Sequence, residues 1–355
     1  MRYSRSLSDL RRADESDFGA KSASLGELLA ARIPVPDGFA LGTDAYRAFV
    51  AQAGLTPLIE RRLQALEPDD MQSVRSACGE IVAAFGRAPV PEEVKREIAD
   101  GYQQLAPDIG GVQPALAVRS SALGEDSHTA TFAGQQETFL WVRGVAGVTA
   151  AVRDCWASLY SPTAVSYRAR AASEHHEPAM GVAIQVMVDA AISGVMFTCN
   201  PVTGDPSTIA INASWGLGEA VVAGEVTPDE YLLSKVTGEL LRERIGAKLI
   251  EHVPSAQGTG TTVQDVAPER RDVPCLSADD HRTLVDLAGR IERHFGGHQD
   301  VEWAIARGQT ASDGLFVVQS RPVTTAPRPD PKPKPTSAIE LVMSAFGAGP
   351  KPRER

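Results

Sequence analysis

Cysteine, long apolar runs and excess positive charge are all scarce in this chain. Its four cysteines, Cys78, Cys155, Cys199 and Cys275, are widely spread and form no CxxC pair. That pattern excludes a disulfide scaffold and suits reduced, mostly buried thiols of a cytosolic protein. No run approaches about 18 apolar residues, so no membrane span is expected. The opening MRYSRSLSDL lacks the apolar core of a signal peptide. Acidic side chains outnumber basic ones by 45 to 35, a net charge of −10. This argues against nucleic acid or an anionic membrane surface as a general partner. It does not argue against a small phosphorylated ligand, because local arginines and lysines decide that. The GxxxxGK[ST] spacing of a P-loop is missing as well. What remains is ordinary soluble material, 43% apolar and 23% charged over 355 residues. That is enough for a sizeable core and long enough for two lobes.

The stretch AVRSSALGEDSHTATFAGQQETFL, Ala117 to Leu140, organises the rest. An apolar strand ends at Arg119, and small hydroxyl residues and glycines follow. A guanidinium offers forked donors to phosphate oxygens. Ser, Ala and Gly let backbone N–H groups approach a ligand closely. A plain polar hairpin, with Arg119 paired to Glu125 or Asp126, is the alternative reading. Upstream, Phe18 to Leu28 reads as a loop entering a helix, with Lys21 at the transition. Free N–H groups and the helix dipole favour an anion there, although most lysines are simply exposed. Residues 44–110 and 145–171 carry helix-period apolar positions and read as scaffold.

Two apolar runs, Gly181 to Val188 and Ile192 to Thr198, read as a hairpin or adjacent strands around Asp189-Ala190-Ala191. The Ile209–Ala213 run is a further strand, and Glu219 follows in a Gly-rich turn. As a helix-start carboxylate, Glu219 would be stabilised by the dipole. Ser255 to Thr262 reads as an exposed excursion, and Ser277 as the cap of a helix. The pair His175-His176 could hold a metal but equally suits a solvated turn before Pro178. Near the end, DVEWAI and FVVQSRPV read as two strands. Period two places Asp300 and Glu302 on one face of the first, Gln319 and Arg321 on one face of the second. A hairpin would gather two carboxylates, an amide oxygen and a guanidinium. Oxygen ligands of this kind suit Mg²⁺ that keeps water and phosphate oxygens, and Arg stabilises charge on a transferred phosphoryl group. An ordinary cross-strand salt bridge is the competing reading.

In order and residue type, GAKSASLGEL, IPVPDGFAL, VRSSA…FAGQQET, IQVMV, SGVMFTCNPVTGD, INASWGLGEAVVAGEVTPDEY, DVEWAI and VVQSRPVT resemble the ATP-binding domain of phosphoenolpyruvate synthase. Related domains occur in pyruvate phosphate dikinase and rifampicin phosphotransferase. The resemblance covers roughly residues 17–325. It implies an α+β ATP-grasp fold, with two lobes of mixed and antiparallel sheets and helices around the nucleotide. The lobes would be residues 1–180, carrying the phosphate-binding Lys and Arg, and 181–325, carrying the adenine hinge and Mg-binding strands. Residues 326–355 form a Pro-rich linker and tail. The resemblance further implies ATP and Mg²⁺ as cofactors. Lys21, Arg119 and Arg321 would act on the phosphates, and Gly134 and Glu219 would lie by the nucleotide. Gln185, Met187 and Val188 would belong to the adenine segment, and Glu302 and Gln319 would be metal ligands.

The family's phosphorylated histidine, in a Gly-rich Ser/Thr-His-Ala context, has no match here: His128 follows Glu-Asp-Ser, and His294 and His298 flank Phe-Gly-Gly. The expectation is therefore an ATP-binding subunit that phosphorylates a histidine on a separate subunit, with phenol as final acceptor as in phenylphosphate synthase. Alternatives are the ATP-binding part of a phosphoenolpyruvate synthase or rifampicin phosphotransferase, and, from another class, a non-catalytic ATP-sensing subunit.

Overall fold

The computed structural model describes residues 3–67, 70–105, 113–122, 137–170 and 178–323. The Gly-rich loop at 123–136, with Gly134 and His128, the pair His175-His176 and the tail after 323 lie outside these residues. The fold is mixed α+β, and its sheet pairings are antiparallel. Strands β1 (Ser4–Ser6), β2 (Gly38–Leu41), β3 (Leu116–Ala122), β4 (Thr138–Val142) and β5 (Met180–Val186) form one sheet in the order β1-β2-β5-β3-β4. Strands β6 (Ala190–Phe197), β7 (Thr208–Trp215), β8 (Asp229–Ser234) and β9 (Leu240–Arg244) belong to a second. There β12 (Gln299–Ala306) and β13 (Leu315–Pro322) complete the order β13-β12-β6-β7-β8-β9. Between them in sequence, β10 (Ile250–Pro254) and β11 (Thr261–Asp265) make a separate hairpin.

One expectation is corrected. The runs around 181–188 and 192–198 are strands, but they do not pair with each other. β5 lies between β2 and β3, whereas β6 lies between β12 and β7. Each is an interior strand, hydrogen-bonded to a neighbour on either edge. Residues 187–189 therefore cross from one sheet to the other. β5 belongs to the first sheet, although the sequence reading assigns residues from 181 onward to the second lobe.

Two cores hold these layers. The first packs the Thr43–Gln52, Met71–Arg87 and Gly144–Ser158 helices against the first sheet, around Phe49, Phe85 and Trp156. Phe49 stacks on Trp156 at 5.2 Å and meets Phe85 edge-on at 5.3 Å. Such pairs add about 0.5–1.5 kcal/mol each beyond the area they bury. The second core joins Leu25 and Leu28 of the Ala20–Ala30 helix to Leu284 and Ile291 of the Ala278–Phe295 helix, and to Trp303 and Val317 of the second sheet. The Ala278–Phe295 helix starts as its sequence directs: Ser277 accepts from the Asp280 amide, and Asp280 reaches back to the Ser277 amide. The Ala20–Ala30 helix bridges the sheets, packing on β3 and on β13. Ser24 Oγ donates to the Ser320 carbonyl across 2.7 Å.

Candidate functional site

That bridging helix approaches β3 closely. Gly19 precedes the helix at φ +81°, and a Cβ there would lie 2.1 Å from the Ser121 carbonyl oxygen. Only glycine fits both demands. Across this contact the Ser22 amide, one of the helix's unsatisfied N-terminal donors, gives its hydrogen bond to Ser121 Oγ at 3.1 Å. Lys21, in the first turn, is buried and donates to the Ser120 carbonyl at 2.9 Å. Gly19→Ala should cost about 2–4 kcal/mol, combining a strained backbone with a steric clash. A shift in the urea-unfolding midpoint measures it, and an unchanged midpoint would contradict the packing.

A second set of contacts joins β3 to β12 and β13. In the β12/β13 register Asp300 faces Arg321 and Glu302 faces Gln319. The four side chains foreseen from period two do share this hairpin. Arg119 reaches across from the other sheet. Its Nη2 donates to Glu302 Oε2 at 2.9 Å and to Gln319 Oε1 at 2.6 Å, and its Nη1 donates to the Val318 carbonyl at 2.7 Å. Arg321 Nε donates to Asp300 Oδ2 at 2.8 Å. Burial pushes the Asp300 carboxyl above its ordinary range, against the charge and hydrogen bond of Arg321. The cross-strand salt bridge is thus present, and Arg321 still leaves 42% of its side chain exposed at the cleft edge.

Several polar atoms here have no hydrogen-bond partner among the described residues: Arg119 Nε, Ser120 Oγ and Ser22 Oγ, all buried. Orphaned buried donors call for an explanation, and a ligand is one. Glu302 and Gln319 direct a carboxylate oxygen and an amide oxygen at one point, now held by a cationic guanidinium. That pair fits Mg²⁺, which takes few protein oxygens and keeps water or phosphate around it. Among the described residues no group of three or more His, Cys, Asp or Glu could hold a metal.

The residues from Gln185 to Val188 make local contacts. Gln185 Nε2 donates to the Pro36 carbonyl at 3.3 Å, and the Met187 amide to the Ala115 carbonyl at 2.9 Å. Met187 and Val188 pack on a small apolar cluster of Ala115, Trp141, Ala190, Leu217 and Ala304. Glu219 does not join the Arg119 group. Its Oε2 bonds His252 Nδ1 at 2.9 Å and accepts from Thr261 Oγ1 at 3.0 Å. His252 Nε2 meets Glu225 Oε2 at 2.8 Å. Sequence reasoning passed over His252, Thr261 and Trp141, since nothing in their local pattern marks them. Gly134 lies outside the described residues.

The sequence profile of the pyruvate phosphate dikinase AMP/ATP-binding domain matches residues 15–340. A probable phosphoenolpyruvate synthase of Methanothermobacter thermautotrophicus is 38% identical over 351 residues, 99% of this chain and 50% of that protein. The phosphoenolpyruvate synthase of Aeropyrum pernix is 37% identical over 86% of this chain and 40% of its own length. A rifampicin phosphotransferase from a Streptomyces species is 40% identical over 90% of this chain and 36% of its own. The chain spans half or less of the length of these three relatives.

Proposed function

The chain belongs to the pyruvate phosphate dikinase AMP/ATP-binding domain family, and on that premise we propose that it activates ATP for a dikinase-type phosphotransferase. The observation that carries this reading is Arg119 spanning the two sheets to Glu302 and Gln319, amid orphaned buried polar atoms. ATP lies between the sheets with its phosphates toward Arg119, Arg321 and the Lys21 helix start. Its base lies toward Met187 and Val188. Arg119 and Arg321 orient the phosphate chain and neutralise charge that builds on the transferred group. The sheets and the bridging helix exclude water from it. Glu302 and Gln319 would hold Mg²⁺, which supplies Lewis-acid neutralisation of the phosphate oxygens.

The acceptor nitrogen comes from a histidine on a partner polypeptide. The histidines among the described residues are held elsewhere: His252 between Glu219 and Glu225, His294 by Glu27, His281 against Tyr231, His298 beside Glu292. In the transfer an imidazole nitrogen forms the N–P bond as the bridging P–O bond breaks, and the leaving oxygen keeps the electron pair. The phosphohistidine then delivers to a small acceptor, for which phenol, as in phenylphosphate synthase, is the finer reading. Pyruvate and rifampicin are the acceptors suggested by the relatives' names.

The test supplies labelled Mg-ATP to this chain with its partner and follows acid-labile, base-stable label. Label on the partner's histidine, lost with Arg321→Ala, is expected. Adding phenol, pyruvate or rifampicin should discharge it to one of them, and discharge by phenol is expected. A chain that alone converts ATP and a small acceptor at full rate overturns the partner scheme. A chain that binds ATP without ever labelling a histidine is a sensor.

A further inference from the structure

Trp141 stands out in the hinge cluster. Its backbone is left-handed, φ +57°, a region that bulky residues rarely occupy. The cause is local: the β3/β4 register shifts between Leu116 and Val118, so that Leu116 faces Val142 but Val118 faces Phe139. The extra residue on β4 is a bulge, and bulges re-aim a side chain. The re-aimed indole is 8% exposed and sits in the cluster with Leu217 and Ala304, against which Met187 and Val188 pack. Strain of this kind costs about 1–3 kcal/mol and persists at ligand clamps when the surroundings enforce it.

Here the surroundings enforce it from the separate β10/β11 hairpin. The Gly260 amide, near the tip of the β10/β11 hairpin, donates to the Trp141 carbonyl at 3.1 Å. The middle of β10 is tied to the segment just after β7 by the Leu217 amide, which donates to the His252 carbonyl at 2.9 Å. The hairpin thus straps the bulge down over the cluster. The position along the cleft is informative too. Ala304 lies two residues beyond Glu302 on the same face of β12. Ala115 lies four residues before Arg119, about 13 Å along an extended strand. The cluster is therefore at the far end of the cleft from the phosphate-binding group, where the base of an extended nucleotide would fall.

We propose that Trp141 is a specificity-determining residue that offers its indole face to the base and favours purine over pyrimidine nucleotides. This rests on the nucleotide reading above. A six-membered pyrimidine covers less of an indole face than a purine, so losing the ring should cost ATP more than CTP.

The experiment measures binding of ATP, CTP and inorganic tripolyphosphate, each with Mg²⁺, to the full chain and to Trp141→Asn and Trp141→Phe. Asparagine tolerates the left-handed backbone but has no ring, so Trp141→Asn relieves the backbone strain while losing the ring's packing, and its urea-unfolding midpoint is measured to establish that it is folded under the binding conditions. Its ATP affinity should fall about 5- to 150-fold, the range of a lost base–aromatic stack. CTP should lose less, and tripolyphosphate binding should not change. Trp141→Phe should keep most of the preference. Equal ATP:CTP ratios in parent and Trp141→Asn overturn the proposal while leaving the nucleotide reading intact. A loss of tripolyphosphate binding in proportion to ATP also overturns it, since the role is then structural. A parent chain that binds neither ATP nor tripolyphosphate overturns the nucleotide reading itself.

Discussion

Arg119→Ala should weaken ATP binding by about 10- to 150-fold while strengthening the binding of Mg²⁺ alone. The first effect follows from losing charge-assisted hydrogen bonds, worth about 1.5–3 kcal/mol when made to a charged group. The second follows from geometry. The guanidinium now occupies the point at which Glu302 Oε2 and Gln319 Oε1 converge. Removing it frees both oxygens and leaves the carboxylate charge without its cationic partner. Arg119→Lys should fall between, because an ammonium keeps the charge but cannot span Val318, Glu302 and Gln319 as a fork does. Titration calorimetry with Mg²⁺, and with ATP plus Mg²⁺, reads the two effects separately. If both affinities fall together, Arg119 is not holding the metal ligands, and the assignment of Glu302 and Gln319 fails.

The largest stability effect should come from Lys248→Met, far from the phosphate end. Lys248 and Asp229 are both fully buried, with Nζ 2.5 Å from Asp229 Oδ1. Asp229 also accepts from the Gly246 amide at 3.0 Å, the Cys275 amide at 2.8 Å and the Tyr231 hydroxyl at 3.0 Å. Burial, then the neighbouring Asp229 carboxylate, push the Tyr231 phenol and the Cys275 thiol well above their ordinary ranges. Removing the lysine leaves a carboxylate in a site without solvent, which costs about 3–5 kcal/mol. At about 2–4 °C per kcal/mol for domains of 150–250 residues, the melting temperature should drop by roughly 6–20 °C. Lys248→Met combined with Asp229→Asn should recover part of it, since no charge is then stranded. A drop of under about 2 °C for the single change would show that water reaches the pair. The pair anchors the connection leading into β10, so the same variant should loosen the strap over Trp141.

The sequence made some parts of this molecule legible and hid others, for physical reasons. Asp300, Glu302, Gln319 and Arg321 could be placed because strand period two is rigid, and the register pairs them as alternation requires. Ser277 could be placed as a cap because a capping box is local. The partner of Arg119 could not be read. Its contacts with Glu302 and Gln319 join different sheets, and Glu125 and Asp126 lie outside the described residues. The pairing of β5 and β6 was misjudged because continuous apolar runs carry no information about which sheet they enter. Trp141 stayed hidden because a bulge depends on the register of β3 with β4, and the aromatic in it looks like any strand residue.

The bridges between the sheets have a further consequence during synthesis. Arg119 meets Gln319 across 200 residues of chain, and Ser24 meets Ser320 across 296. Such contacts form slowly, because long loops must close before anything rewards them. On a ribosome the first sheet can complete itself once Val186 has emerged, whereas the second must wait for β13. Until then the Ala20–Ala30 helix lacks one of the two strands it packs on, and Arg119 lacks two of its three acceptors, the Val318 carbonyl and Gln319. The Arg119 contacts to β13 are accordingly among the last of the described contacts to form. A nascent chain stalled before Leu315 should carry a folded first sheet that cannot retain ATP.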